Sequence, residues 1–359
     1  YLRIGSRYGA GAAYQDRLLK KRSESFKNRA ELIELLDETR IFVGTVASVG
    51  GKEELFKLKS FDRVIIDEAS QILEPLLLGL LCRIPRAVLI GDHRQLPAVV
   101  QQSEEEATVY DPKLREIGLS HLGTSLFERL YLKAQQAGWE WAYDQLRHQG
   151  RMHQDIMAFP AQAFYGGSLF ILPEEVAAHQ KQIQALELSS EDNELYQQLA
   201  SRRLLFFPTE IDFQSTDRKT NRHEAEMLVR LIAGFEALYA DTDRPIQTGD
   251  IGIITPYRAQ IAKVRRTLIA HDRSPDEYTI DTVERYQGGA RRIILLSLCT
   301  NDAHQMKSLA QTSSENVDRK LNVAMTRARE HLVIIGCPAI LRTVEHYAEL
   351  LDFVAGVGQ

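Results

Sequence analysis

Cysteine is scarce in this chain: Cys82, Cys299 and Cys337 are the only three. They lie far apart with no metal-ligand spacing, so neither a disulfide framework nor a zinc site can be built from them. They read as buried thiols of a reducing compartment. Long hydrophobic runs are missing as well. The longest, Leu76 to Cys82, is closed by Pro75 before it and Arg83 after it, far short of the roughly 20 residues that span a bilayer. No secretory signal opens the chain. The expectation is a cytoplasmic protein, or a nuclear one in a eukaryote, with no membrane partner. An excess of positive charge is also lacking. The formal net charge is −5, so nothing draws nucleic acid to the molecule as a whole, and such a site must be a local basic surface.

What the chain does contain is two runs of alternating strands and helices. Its 359 residues, 44% hydrophobic and 26% charged, are those of a globular protein with room for two domains. After solvated helices between Tyr14 and Thr39, Ile41 to Val46 reads as a strand. Val64-Ile65-Ile66 reads as a buried strand of a parallel sheet, followed by a helix over Leu73 to Leu81 and a strand over Ala87 to Ile90. Residues 101 to 138 read as mostly helical, with Trp139 and Trp141 packing against the next segment. The second run begins at Leu204 to Phe207. It continues with a helix (Glu224 to Leu238), a strand (Ile251 to Ile254), a basic helix (Gln260 to Ala270) and a strand edge (Tyr278 to Val283). A strand (Arg292 to Leu298), a helix (Leu321 to Arg329) and a strand (Leu332 to Ile335) complete it. This order predicts an α/β protein of two tandem parallel-sheet domains, residues 1–145 and 146–359, with a helical, solvent-facing insertion at about 174–203.

Several short stretches carry chemistry. Asp67 and Glu68 fall at the carboxyl end of a strand, where open α/β sheets bind ligands. One acid can hold Mg²⁺ on a nucleoside triphosphate while its neighbour orients or deprotonates a water. In the loop Gly91-Asp92-His93-Arg94-Gln95-Leu96-Pro97, the Gln95 amide falls at the adjoining strand end, suited to a phosphate oxygen or an attacking water. Arg151, in Gln149-Gly150-Arg151-Met152-His153, is suited to bidentate phosphate contact. The aromatics beyond it, Phe159, Phe164 and Tyr165, read as core rather than as a base-stacking platform.

Taken in series, these stretches resemble the helicases of superfamily 1, in the Upf-one/Dna-two-like branch. Asp67 to Gln71 resembles motif II, Gly91 to Val99 motif III, and Leu146 to Tyr165 motif IV. Thr255 to Gln260 resembles the segment before motif V, Asp281 to Gly288 motif V, and Leu321 to Arg329 motif VI. The resemblance implies two RecA-like domains and ATP hydrolysis coupled to five-prime-to-three-prime movement along a single strand, DNA favoured over RNA. It implies Mg²⁺ on Asp67, Glu68 as catalytic base, Gln95 as γ-phosphate sensor, and Arg151 and Arg327 as arginine fingers. Gln287 and Gly288 would contact the nucleotide. Thr45, Thr255, Tyr257 and Thr282 would hold the nucleic-acid backbone. On an unbroken helix Arg329 would point roughly 160° away from Arg327, which leaves Arg327 as the finger.

The chain also departs from the branch. Gly150 stands where an adenine-stacking aromatic is usual, and Ala290 where a nucleotide-contacting Glu is usual, with Arg291 and Arg292 adding charge. No G-x-x-x-x-G-K-[ST] loop occurs: the one Gly-Lys pair, Gly51-Lys52, is followed by Glu53, and Val46 stands where the first Gly belongs. The expectation is a fragment whose phosphate loop lies upstream. Two function classes stay open. One is the body of an ATP-dependent helicase; the other is a catalytically inactive helicase-fold module that binds nucleic acid or a protein. A metal-dependent nuclease lacks the further carboxylates that a two-metal site needs near Asp67.

Overall fold

The computed structural model describes residues 1–6, 8, 11–173, 180, 193–240, 242–286, 288–310, 312–313 and 315–356. They form two units. The first comprises Tyr1–His93 and Pro97–Asp144, the second Arg94–Leu96 and Gln145–Gln359. Among the described residues no helix is long and apolar enough to cross a membrane.

The first unit holds two parallel strand pairs. Strand β1 (Leu2–Ile4) pairs with β2 (Phe42–Gly44), and Leu2 and Ile4 pack on helix α1 (Arg29–Glu38) through Leu36. Asn28 caps α1 by accepting from the Glu31 amide, which fixes where the helix starts. Strand β3 (Val64–Ile66) pairs with β4 (Ala87–Leu89). Beneath them lie α2 (Glu74–Leu81) and α3 (Leu126–Gln136), which supply Leu77 and Leu126 to a small core around Ile66 and Ala69. The buried guanidinium of Arg129 on α3 forks onto Glu74 of α2, and its Nη1 donates to the Ile117 carbonyl at 2.9 Å.

Three expectations for this unit need correction. Strand β3 is buried on one face only: Ile66 is 4% exposed and Ile65 is 65% exposed. Side chains alternate along a strand, and the helices cover one side, so an all-apolar triplet need not be buried throughout. Trp139 and Trp141 are 45% and 85% exposed and lie against each other, not in a core. Cys82 is exposed, whereas Cys299 and Cys337 are buried.

The second unit is built on a five-stranded parallel sheet in the order β7–β11–β10–β8–β9. Its strands are β7 (Leu204–Pro208), β8 (Ile251–Ile254), β9 (Thr279–Asp281), β10 (Arg291–Ser297) and β11 (Ala328–Gly336); a separate short pair joins β5 (His148–Gln149) and β6 (Phe170–Ile171). Alternate residues serve opposite faces. Ile294, Leu296, Leu332 and Ile334 enter one core with α4 (Gln154–Tyr165), α8 (Arg319–Met325) and α9 (Glu345–Gly356). Ile293, Leu295, Val333 and Ile335 enter the other with α5 (Glu194–Ser201), α6 (Arg222–Tyr239) and α7 (Arg258–Ala270). A parallel sheet covered on both faces is what continuous Ile/Leu/Val runs specify. Phe159 and Phe164 are core residues, as read from the sequence.

Residues 174–179 and 181–192 of the expected insertion lie outside the described residues. Helix α5, within it, is solvent-facing on one side only: Glu194, Gln197, Gln198 and Ser201 are exposed, while Leu199 is fully buried in the second core. The helix expected over Leu321 to Arg329 is α8, and it stops at Met325 with Thr326 as its C-cap. Arg327 lies beyond it and Arg329 is already in β11, so the angular argument for an unbroken helix does not apply.

The two isoleucines give a direct test. Ile66→Ala should lower unfolding free energy by about 2–4 kcal/mol and Ile65→Ala by less than about 1 kcal/mol, read as denaturant midpoints. Equal losses would show that both faces of β3 are covered.

Candidate active site

In the first unit the candidate chemistry sits where β3 runs out. Glu68 adopts φ +53° and ψ +35°, the left-handed region that a non-glycine residue occupies at a cost of about 1 kcal/mol. The turn is held from several directions. The Glu68 amide donates to Asp67 Oδ1 at 3.0 Å, Gln71 Nε2 donates to Glu68 Oε2 at 2.6 Å, and the Ala69 amide donates to the Ile90 carbonyl at 2.8 Å. Buried Ser70 accepts from the Asp92 amide at 3.3 Å. A Cβ on Gly91 would come within 2.9 Å of the Ser70 nitrogen. Only glycine lets the turn after β4 approach this closely, and nothing in the sequence alone marks Ser70 or Gly91 as partners.

Both carboxylates are exposed. Among the described residues no group of three or more His, Cys, Asp or Glu side chains could cage a metal. A lone carboxylate beside open solvent suits Mg²⁺, which keeps waters and takes phosphate oxygens to complete its octahedron. Asp67 fits that demand.

In the second unit four sequence-derived candidates converge at the amino edge of the sheet. Arg327 is 2% exposed. Its Nε donates to the Val323 carbonyl at 3.0 Å and its Nη1 to the Gly289 carbonyl at 3.2 Å; its Nη2 donates to Thr326 Oγ1 at 3.0 Å and to Gln95 Oε1 at 3.3 Å. Arg151 Nη1 donates to the Thr326 carbonyl at 3.1 Å. Gly288 precedes β10 here with φ +78°, while Gln287 lies outside the described residues. Asn322 on α8 donates to the Arg94 carbonyl at 2.8 Å and to the Tyr165 hydroxyl at 3.0 Å, so it holds the Gln95 segment in place. The four named partners of Arg327 are uncharged oxygens.

The opposite, carboxyl edge carries the other candidates. Tyr257 follows β8, and Lys219 Nζ lies 5.9 Å from its ring centroid. Thr282 follows β9 and donates its amide to Asp281 Oδ1 at 2.9 Å. Thr255 does not reach the surface: it is fully buried, and its Oγ1 has no hydrogen-bond partner among the described residues. Its amide extends the ladder to Asp281, which draws it inside and leaves Tyr257 to present the turn. In the first unit, exposed Thr45 is the N-cap of helix Val46–Gly50, accepting from the Ser48 amide at 3.2 Å.

One buried acid escaped sequence reasoning. Glu224, on α6, accepts from Ser297 Oγ at 2.7 Å, the Cys299 amide at 2.8 Å and the Thr300 amide at 3.1 Å. Burial pushes its carboxyl up to about 7, against the pull of these donors.

Residues 122–339 match one AAA domain model and residues 8–103 match a second. The first match alone takes in more than half of the chain. The chain belongs to the AAA domain family, among the superfamily 1 helicases of the Upf-one/Dna-two-like branch. It is 32% identical over 339 residues to the DNA replication ATP-dependent helicase/nuclease DNA2 of Gallus gallus, covering 92% of this chain and 28% of that protein. The DNA2 of Homo sapiens is 32% identical over 347 residues, covering 92% of this chain and 30% of that protein. The DNA-binding protein SMUBP-2 of Mesocricetus auratus is 31% identical over 348 residues, covering 94% of this chain and 31% of that protein. The chain therefore spans less than a third of the length of these relatives.

Glu224 predicts a pH dependence. Its folded value lies above the unfolded 4.5, so between 4.5 and about 7 the folded state holds a proton that the unfolded chain has released. Stability should then fall as pH rises through this window, by on the order of 3 kcal/mol. Glu224→Gln should flatten that slope in chemical denaturation. An unchanged slope would show that Glu224 ionises normally.

Proposed function

We propose that the protein carrying this chain is an ATP-dependent helicase or translocase acting on single-stranded nucleic acid, with DNA favoured. The observation that carries this reading is the division of labour in the second unit's sheet. Two arginines and a glutamine gather at its amino edge, while a half-buried threonine and tyrosine and an exposed lysine stand at its carboxyl edge. The printed names of the relatives, a DNA replication helicase/nuclease and a DNA-binding protein, support DNA.

In this reading Asp67 holds Mg²⁺, which supplies charge neutralisation on the phosphates. Glu68, held by Gln71 and by its own strained backbone, takes the proton of the attacking water. Gln95 senses the γ-phosphate, and Arg151 and Arg327 balance the charge that develops on the transferred group. Gln287 and Gly288 line the nucleotide. Thr45, Tyr257 and Thr282 hold the strand backbone, hydroxyl groups at strand ends being suited to phosphate. We do not assign that role to the buried Thr255.

A second reading, a strand-binding module without chemistry, draws support from the burial of Arg327 among structural partners. Two substitutions in the full-length protein separate the readings. Glu68→Gln should nearly abolish strand-stimulated ATP turnover and leave ATP binding intact, because the amide keeps the shape and loses the basicity. Turnover surviving that change would mean a different base.

Arg327→Ala should cut hydrolysis by roughly 10³–10⁵, with nucleotide-free strand affinity changed only a few-fold, since Arg327 and the strand residues lie at opposite edges. A wild-type protein that binds the strand, hydrolyses nothing, and loses strand binding on Arg327→Ala would instead be the module. Matched single-stranded DNA and RNA, titrated in parallel, decide the choice of strand.

A further inference from the structure

The segment between β7 and α6, residues 209–221, crosses the carboxyl edge of the sheet as a strap. It is pinned beyond the ends of β11, β10 and β8. The Thr209 amide donates to the Gly336 carbonyl at the end of β11 at 2.9 Å. The Asp212 amide and Asn221 Nδ2 both donate to Asn301 Oδ1, just after β10, at 3.0 and 2.9 Å. Asn301 Nδ2 returns bonds to the carbonyls of Arg218 and Thr220 at 3.0 and 2.8 Å. Asn221 and Gln260, in the helix after β8, exchange a pair of bonds at 2.9 and 3.0 Å.

On this strap stands Phe213, 88% exposed. The backbone on either side of it is held: buried Asp212 accepts from the amides of Gln214 and Arg222, and Arg222 Nη1 donates to Gln214 Oε1 at 2.5 Å. Cations and acids alternate around it. Lys219 lies over Tyr257 and Arg258 is exposed, while Arg218 is paired with Asp302 and half-buried Arg222 with Asp212. The acids nearby are Glu210, Asp212, Asp217 and Asp302; Asp217 accepts from the Lys219 amide at 2.9 Å. An aromatic ring carried in the open on a tied-down loop, with Lys219 on the same loop, combines the two contacts that single strands require: a face for a base and charge for a phosphate.

We propose that Phe213 is a base-stacking residue of the strand site, with Lys219 contacting the adjacent phosphate. This rests on the strand-binding reading above and extends it from the backbone to the bases. Stacking serves any base, so the contact gives affinity without sequence preference.

The test uses the full-length protein and a single-stranded oligothymidylate carrying one 5-iodouracil. Phe213→Ala should weaken binding roughly 5- to 150-fold, the range that stacking on one side chain contributes, with an unchanged melting temperature. Phe213→Trp should restore affinity, and Phe213→Leu should not. Photo-crosslinking should map to the peptide containing Phe213. Lys219→Ala should lower the slope of log affinity against log salt by about 1.

A wild type that binds the strand while Phe213→Ala leaves affinity unchanged, or Phe213→Leu restores it fully, overturns the stacking role and leaves the strand-binding reading standing. A wild type that binds no strand overturns that reading, and the stacking role with it.

Discussion

A parallel sheet with both faces buried leaves chemistry nowhere to go but its edges, and this constraint organises the second unit. Ile293 to Leu296 on β10 and Leu332 to Ile335 on β11 alternate strictly between two cores, so none of these side chains is available to a ligand. Functional groups must come from the residues just before or just after each strand. Those before β10 and β11 bring Gly288, Gly289 and Arg327 together. Those after β7, β8, β9 and β10 bring the strap, Tyr257, Thr282 and Asn301 together. Because the strands are parallel, the two sets lie at opposite edges of one sheet.

The first unit meets a different constraint. Its acidic turn depends on a close approach between two loops. The main-chain exchange between Ile66, Ile90 and Ala69, together with the Ser70 hydroxyl on the Asp92 amide, ties the end of β3 to the end of β4. Gly91 permits it. The left-handed backbone at Glu68 is the consequence, since the chain must turn sharply to send Ala69 back beneath the sheet while the carboxylate stays outside. Strain of this kind persists only where its surroundings over-determine it. Here Gln71, Asp67 and Ile90 do so.

Much of this was legible in the residues. The strands announced themselves as short β-branched and apolar runs, and β4, β7, β8 and β10 fall within a residue or two of where those runs place them. The acidic turn, Gln95 and Arg151 stood out as groups suited to phosphate at strand ends and loops, whereas Arg327 stood out only through the resemblance of Leu321 to Arg329 to motif VI. What periodicity could not supply was the third dimension. Ile65 looks as buried as Ile66, because composition does not say how many faces of a sheet are covered. Thr255 looks as available as Thr282, yet one added ladder bond takes it inside. Arg292 reads only as added charge, yet it is 6% exposed, with its Nε 2.9 Å from Glu330 Oε2 and its guanidinium 4.2 Å from the Tyr239 ring centroid. Helix α8 ended early because Thr326 caps it by bonding back to Val323, a local competition that helical spacing does not register.

The buried acid beneath the strap shows how the carboxyl edge is kept in shape. An unpaired carboxylate in a core is destabilising, and proteins retain one where its hydrogen bonds fix something else. Glu224 accepts from three donors spread over Ser297, Cys299 and Thr300, and so sets the path of the chain as it leaves β10. Cys299 is held there at φ +50°, a conformation no cysteine adopts for its own sake. Two residues later Asn301 receives and returns the bonds that carry the strap. Ser297 also accepts from Gln260, which in turn clasps Asn221. The chain of contacts runs without a gap from a buried carboxyl to the loop that presents Phe213. The cost of burying Glu224 is therefore borne in the core, while its effect is felt at the surface, where a loop that would otherwise wander is held ready for a ligand.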